Sequence, residues 1–245
     1  ISRSGEIRWS IFLVLSGLIY LGWTLFFPLH TYYRVIPPID YTKRTNYSGL
    51  GFVAYVAAIL VLFALYLAAL RAIKEAKQGQ ISFEAIFWGG VSIAVILVFS
   101  YPQTAIDLLV YALRTRGWAR YGLSPFSAAP EVMPASDPWL GLAGEWADAA
   151  SPYGPVWEWL SLGAYHLSGG RYLAHLFSLK ILSLLAYTGS IWLVYRILDL
   201  IRPRWAIQGS AFFAWNPLVL LESVQNGHND IVMAFFLLVA VWSFR

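Results

Sequence analysis

Residues 50–70 read LGFVAYVAAILVLFALYLAAL and contain no charged side chain. A helix of about 20 apolar residues is long enough to cross the hydrocarbon core of a bilayer. Hydrophobic residues make up 59% of the 245-residue chain and charged residues only 12%, against about 45–50% and about 25% in soluble domains. The sequence therefore predicts an all-α membrane protein. It excludes a soluble globule, a disordered chain and a basic nucleic-acid-binding domain, so we expect no nucleic-acid partner.

Further apolar segments predict a polytopic helical bundle that forms one transmembrane domain over residues 1–245. The predicted spans are residues 9–27, 50–70, 85–101, 173–195, 206–221 and 231–244. Residues 102–170, rich in Pro, Gly and Trp, form a long outer loop that is expected to carry short interfacial helices. Inside the fifth span, Asn216-Pro217 predicts a kink, because proline lacks the N–H that an α-helix needs.

The distribution of basic residues predicts the orientation. Short basic loops at residues 71–77 and 196–204 are expected in the cytoplasm with the N-terminus, following the positive-inside rule. The long loop and the connection at residues 222–230 then share the outer face. Any site that unites them must open outward. Lys180, inside the fourth span, is expected to snorkel outward to the interface, with contact to a lipid phosphate as the alternative.

The start of the long loop places polar side chains at helical spacing. Asp107, Tyr111 and Arg114 share one face of a predicted amphipathic helix at the interface, with Gly117 as its C-cap. Arg116 points away from Asp107 unless the helix ends before it. A carboxylate at a membrane boundary is costly and suggests a function. The alternatives are a salt bridge to Arg114 or a stabilising charge at the helix N-terminus.

Two later segments allow both a structural and a functional interpretation. In Ser151-Pro-Tyr-Gly-Pro155, the prolines can aim Tyr153 at a ligand, or Pro155 can simply start the next helix. Residues 222–230 are unusually polar for a turn between apolar helices. They form either a solvated turn with His228 or Asp230 as a cap, or a cluster that contacts a phosphate or sugar hydroxyls.

Three segments together resemble known enzymes. They are Asp107-x3-Tyr111-x4-Arg116-Gly117 with Gly122-Leu-Ser-Pro125-Phe126, then Asp137-Pro138-Trp139 leading to Ser151-Pro-Tyr-Gly-Pro155, and finally Asn216-Pro217-Leu leading to Asn226-Gly-His-Asn-Asp230. Their order and spacing resemble polyprenyl-phosphate-sugar-dependent glycosyltransferases of the GT-C class, in particular the bacterial α-1,6-mannopyranosyltransferases. This resemblance covers about residues 101–242 and implies a GT-C-like helical bundle in a bacterial inner membrane.

The resemblance implies inverting transfer of a sugar, mannose by family likeness, from a polyprenyl-phosphate donor to a hydroxyl of a glycan or glycolipid acceptor outside the cytoplasm. Asp107 is then the general base. The implied substrate-binding residues are Tyr111, Arg114, Arg116, Tyr153, His228, Asn229 and Asp230. The arginines and His228 would stabilise the leaving phosphate, whereas Tyr153, Asn229 and Asp230 would hold sugar hydroxyls. No cofactor and no metal are expected, since the other histidines lack ligand spacing.

The family carries more spans than the six predicted here, so this chain is expected to be the N-terminal half of a longer protein or a shortened relative. A shortened relative suggests a second hypothesis, a non-catalytic accessory or scaffold subunit that binds other membrane subunits. A lipid or small-solute transporter is a third. The catalytic hypothesis requires Asp107 and His228 to confront each other in one outward-facing cavity.

Overall fold

The computed structural model describes residues 4–43, 47–76 and 79–244, and this part of the chain is helical and contains no β-strand. The predicted all-α membrane fold class is confirmed. The helices are α1 (Ser4–Phe26), α2 (Leu29–Tyr32), α3 (Gly49–Glu75), α4 (Phe83–Val98), α5 (Asp107–Tyr121), α6 (Pro155–Leu167), α7 (Tyr172–Ile201), α8 (Ala206–Ala214), α9 (Pro217–Val219) and α10 (Asp230–Ser243). Short 3₁₀ turns cover Pro130–Val132 and Pro203–Trp205, and a π turn covers Leu220–Gln225.

Three of the described helices are long and apolar enough to cross a membrane: Arg8–Phe26, Gly49–Glu75 and Tyr172–Ile201. A fourth crossing is added if two further helical segments together form one broken span. These segments are Pro217–Gln225 and Asp230–Ser243, and the chain bends by 113° between them. The predicted third span is the shorter apolar helix α4. The count of six spans and the single-domain boundary stay predictions.

The predicted kink at Asn216-Pro217 is confirmed, and it divides the predicted fifth span. Helix α8 ends at Ala214 and α9 begins at Pro217. The end of α8 leaves carbonyl groups without helical partners, and tyrosine hydroxyls from two other helices satisfy them. Tyr66 Oη donates to the carbonyl of Phe212 at 2.7 Å, and Tyr187 Oη donates to that of Ala214. These contacts hold the end of α8 at the point where the chain turns into α9.

The two predicted basic loops lie at the same end of the bundle. Lys74 and Arg204 line one cavity there, and Arg8 lies 3.8 Å from Glu75. Lys77, also assigned to the first of these loops, lies outside the described residues. The long loop begins at the opposite end, where Tyr101 N donates to the carbonyl of Phe27 at 2.8 Å. The structure thus separates the basic loops from the polar segments.

The prediction that Lys180 snorkels outward is wrong. Its side chain is fully buried in α7, and Nζ donates to the carbonyls of Leu97 (3.0 Å) and Ser100. The last carbonyls of α4 carry the negative end of that helix dipole, so they are suitable partners for an ammonium group. Lys180 therefore fixes the end of α4, from which the segment leading to Asp107 departs.

Candidate active site

Helix α5 positions the first predicted site residues, but two expectations about it are wrong. The helix runs through Gly117 and ends at Gly122, whose φ of 68° provides the left-handed C-cap. Its residues 108–117 are all buried, so α5 is not an amphipathic helix with an exposed polar face. The reason is that α6 and the long loop pack around it. The acidic residue at its first position, Asp107, remains accessible, with 39% of its side chain exposed.

The predicted common face of α5 is confirmed, because all three side chains approach Tyr153. Tyr153 Oη donates to Asp107 Oδ1 at 3.0 Å and lies 3.4 Å from Tyr111 Oη. The Arg114 guanidinium carbon lies 5.8 Å from the centre of the Tyr153 ring. Tyr153 therefore joins the outer loop to the polar face of α5.

The structure also brings Asp107 to the second predicted segment. His228 Nε2 lies 3.4 Å from Asp107 Oδ2. Because His228 and Tyr153 together outweigh the effect of partial burial, the pKa of the Asp107 carboxyl is lowered. Asp107 is therefore ionised at neutral pH and can accept a proton. Of the two alternatives, the salt bridge from Asp107 to Arg114 is not formed. Asp107 does occupy the N-terminus of α5, as the other alternative predicts.

A glycine allows this approach. Gly227 has a φ of 74°, and a Cβ at this position would lie 3.0 Å from Leu108 Cδ1 of α5 and 3.7 Å from Lys180 Cγ. Left-handed backbone and a close contact both favour glycine here. The turn therefore packs directly on α5, and the next residue, His228, meets Asp107.

Sequence reasoning missed a layer of amides beneath this contact. Asn226 Nδ2 donates to Thr104 Oγ1 at 2.6 Å, while Asn226 Oδ1 accepts from the backbone N–H of Gln103 at 3.2 Å. Gln225 Nε2 donates to Gln103 Oε1 at 2.8 Å. These bonds join the residues before α5 to the turn before α10. The polar residues just after the third predicted span, Gln103 and Thr104, were the signal available for this contact.

The structural interpretation of the Ser151–Pro155 turn is confirmed, and the functional one, that the turn aims Tyr153 at a ligand, stays a prediction. Pro155 is the first residue of α6, and Tyr153 points at Asp107. Two further residues hold the turn: Tyr153 N donates to Ser151 Oγ at 3.2 Å, and Ser151 Oγ donates to Glu158 Oε1. Glu158 is buried, and burial raises its pKa even though the Ser151 hydrogen bond opposes the change. The sequence pattern selected neither Ser151 nor Glu158 as a site residue, since their roles depend on the tertiary fold.

Among the described residues, the two candidate arginines make their hydrogen bonds with groups other than Asp107 and His228. Arg116 is buried, and its Nε lies 3.0 and 2.7 Å from the two carboxylate oxygens of Asp137. Its guanidinium also lies 4.5 Å from the centre of the Trp139 ring. Arg114 is buried behind Tyr153 and donates to the carbonyl of Ala149 at 3.3 Å. Arg116 therefore points away from Asp107, as its spacing on a continuous helix predicts.

A cavity of about 560 Å³ opens next to Tyr153, and its lining includes neither Asp107 nor His228. One side consists of residues 152–157 and the other of α10 with the residue before it. Its polar lining includes Tyr153, Asn229 and Asp230, and Asn229 Oδ1 accepts from Tyr111 Oη at 3.3 Å. Its apolar lining includes Val156, Met233 and Phe236. The cavity therefore has a polar part at Tyr153, whose hydroxyl donates to Asp107, and an apolar part along α10, which suits an amphipathic ligand.

We expect Tyr153→Phe to lower activity at this site about 10- to 100-fold, because one hydrogen bond to a charged group contributes about 1.5–3 kcal/mol. The phenyl ring keeps the cavity wall and loses only the hydroxyl that reaches Asp107. Tyr195→Phe is the matched control, since Tyr195 stacks on Phe83 in another part of the bundle. The measurement is the rate of the sugar transfer that the sequence resemblance implies, at equal protein abundance. Equal rates for both variants would mean that the Tyr153 hydroxyl has no part in the site.

Within the described ranges, no group of three His, Cys, Asp or Glu side chains is arranged to hold a metal ion. The expectation that the site needs neither metal nor cofactor stays a prediction.

The fold and the site together define a helical membrane protein with a carboxylate–imidazole pair that Tyr153 links to an amphipathic cavity. The chain belongs to the α-(1→6)-mannopyranosyltransferase family, because the model of that family's N-terminal domain matches residues 10–245. It is similar to an α-(1→6)-mannopyranosyltransferase of Mycobacterium tuberculosis, with 27% identity over 154 residues. That match covers 59% of this chain and 24% of the relative, so the chain spans only part of the relative's length. No solved structure matches.

Proposed function

We propose that this protein transfers mannose from a polyprenyl-phosphate donor to a hydroxyl of a glycan or glycolipid acceptor, with inversion at the anomeric carbon. The observation that carries the proposal is the contact of Asp107 with His228 and Tyr153 beside the amphipathic cavity. Family membership supports the choice of sugar and reaction.

Asp107 acts as the general base in this proposal. The acceptor oxygen attacks the anomeric carbon, the bond from that carbon to the phosphate oxygen breaks, and the acceptor proton moves to Asp107. A carboxylate at this position is suited to the task because it is ionised at neutral pH, partly exposed and oriented by Tyr153. Positioned general bases contribute about 10²- to 10⁴-fold to a rate.

The sugar cannot lie between Asp107 and His228, since 3.4 Å leaves no space for it. We place the sugar in the polar part of the cavity, where Tyr153, Asn229 and Asp230 can hold its hydroxyls and Tyr111 orients Asn229. Inversion requires the acceptor oxygen and the leaving phosphate on opposite faces of the sugar, so in this proposal the Asp107–His228 pair lies along one side of the ring, with the acceptor toward Asp107 and the phosphate toward His228. The charge of the phosphate would be stabilised there by the imidazolium. Arg114 and Arg116 are engaged in other contacts, so they support the surrounding structure in this proposal.

The apolar part of the cavity suits the isoprenoid chain of the donor. Val156, Met233 and Phe236 are 56%, 69% and 48% exposed, so this wall is open to an apolar ligand. Because lipid tails are as apolar as these side chains, packing rather than escape from water would hold the chain there. The chain would therefore leave the polar part along α10 and enter the bilayer.

The location of the site on the outer face is part of the proposal. The basic loops around Lys74 and Arg204 lie at the end of the bundle opposite the site. The positive-inside rule places that end in the cytoplasm. The protein would then be a multi-pass protein of a bacterial plasma membrane, with a cytoplasmic N-terminus and the site facing outward.

A comparison of two donors tests the proposal. We expect the full protein in nanodiscs to transfer labelled mannose from polyprenyl-phosphate mannose to a mannan acceptor, and not from a nucleoside-diphosphate mannose. Transfer from the nucleotide donor alone would contradict the proposed donor class. If neither donor supports transfer and the protein co-purifies with a larger membrane complex, the accessory-subunit hypothesis replaces this one.

A further inference from the structure

Glu222, which belongs to the polar segment 222–230 but was not predicted as a site residue, holds His228 by both its backbone and its side chain. The backbone N–H of His228 donates to the carbonyl of Glu222 at 3.1 Å. His228 Nδ1 lies 3.3 Å from Glu222 Oε2, and Asn226 Nδ2 donates to the same oxygen at 3.0 Å. His228 therefore lies between two carboxylates, with Glu222 at Nδ1 and Asp107 at Nε2.

The π turn explains how Glu222 reaches this position. Residues Leu220–Gln225 form the turn, and the N–H of Asn226 closes it on the carbonyl of Leu221 at 2.8 Å. Such turns insert one residue into a helix and occur often at functional sites. The wider turn lets the chain fold back at Gly227, which brings the ring of His228 against the Glu222 carboxylate.

We propose that Glu222 is a positioning residue for His228, which it holds as an imidazolium with Nε2–H directed toward Asp107 and the donor phosphate. The inference rests on the proposed function, in which His228 stabilises the leaving phosphate. A carboxylate at Nδ1 fixes the proton on that nitrogen and the orientation of the ring, as second-shell carboxylates do for histidine ligands. The second carboxylate, at Nε2, then favours a proton on that nitrogen as well.

The charges around His228 agree with this arrangement. Burial alone would lower the pKa of His228, but Asp107, then Glu222 and Asp230, outweigh burial and raise it. Lys180 lies beneath the turn, and its ammonium group is directed to the carbonyls of Leu97 and Ser100. The imidazolium is present below the raised pKa and is lost as pH rises through it. Removing the charge of Glu222 must therefore lower the pH at which His228 loses its proton.

The experiment compares Glu222→Gln with the unsubstituted full protein in nanodiscs. Glutamine keeps the size of the side chain and an oxygen that can accept from Nδ1, so only the charge changes. We expect the titration midpoint of the His228 ring, followed by NMR of labelled histidine, to fall by about one pH unit or more, as for loss of an opposite charge at this distance. His228→Gln assigns the signal among the four histidines. The pH at which the transfer rate falls on the alkaline side should also become lower.

Glu84→Gln is the matched control, since Glu84 is exposed in the first turn of α4 at the other end of that helix. If Glu222→Gln does not fold, Glu222→Asp retains the charge but withdraws it from Nδ1, and a smaller fall of the midpoint is expected. An unchanged midpoint in the folded variant overturns the inference, even where transfer itself is normal. A lowered midpoint in a protein that shows no transfer from polyprenyl-phosphate mannose supports the Glu222 contact and contradicts the proposed function instead.

Discussion

Asp107→Asn is expected to lower mannose transfer by about 10²- to 10⁴-fold, the usual contribution of a positioned general base. Asparagine keeps the side-chain shape and an oxygen that can accept from Tyr153 Oη, so the cavity should stay intact. It lacks the negative charge that accepts the acceptor proton. The loss should therefore appear in kcat, whereas the KM for the lipid-linked donor should change little. Initial rates in nanodiscs at equal protein abundance measure both quantities.

The control for this change is Asp148→Asn, because Asp148 is an exposed carboxylate in the same outer loop. It should leave the rate unchanged. Transfer by Asp107→Asn at the normal rate would remove Asp107 from the role of base, although membership of the family would stand. An accessory subunit would likewise be indifferent to Asp107→Asn, but it would show no transfer before the substitution either.

The pH dependence provides an independent check of the same residue. His228 and Tyr153 lower the pKa of Asp107 from its ordinary value of 3.8. The carboxylate is thus present above that lowered pKa, and the activity it supports is lost only as pH falls through it. On the acid side of the pH profile, the transfer rate should therefore fall only at pH values below the ordinary pKa of an aspartate. In Tyr153→Phe this fall should occur at higher pH, because one of the groups that stabilise the carboxylate is absent.

The sequence was sufficient to predict the helical class, the break at Asn216-Pro217 and the convergence of two distant segments. Hydrophobic length and proline chemistry are local properties, which is why the first two succeed. The meeting of Asp107 with His228 is a tertiary contact, and it was inferred from the order of three motifs in a family. The face shared by Asp107, Tyr111 and Arg114 followed from helical periodicity alone.

The residues that were missed or misplaced depend on contacts that no local pattern encodes. Glu222 is one of several polar residues in its turn, and only the π turn selects it for His228. Lys180 was expected to reach the interface, but the carbonyls at the end of α4 provide an internal partner. The end of α5 was misjudged because Gly117 and Gly122 can both end a helix, and the left-handed conformation occurs at the second.

Arg116→Met is expected to destabilise the folded protein by about 3–5 kcal/mol, the usual cost of leaving one partner of a buried ion pair alone. The carboxylate of Asp137 has no exposed side-chain surface and depends on Arg116, Tyr121 and the N–H of Trp139. Burial alone would raise the pKa of Asp137, but these partners lower it. The stability they contribute is therefore present above the ordinary aspartate pKa and is lost as pH falls. Thermal unfolding in detergent measures the loss.

A double substitution separates this structural role from a contribution of Arg116 to phosphate binding. In Arg116→Met with Asp137→Leu, no charge is left unpaired, and replacing both partners of a buried pair by apolar groups is often neutral for stability. We expect the double variant to recover most of the unfolding temperature lost in Arg116→Met, and to recover transfer with it, because the packing around Trp139 that supports α5 is restored. If stability returned while transfer stayed low at every donor concentration, Arg116 would have to act on the phosphate directly. Arg116 extends from the side of α5 opposite Asp107. The distance between the Arg116–Asp137 pair and the Asp107–His228 pair would therefore have to shorten during the reaction.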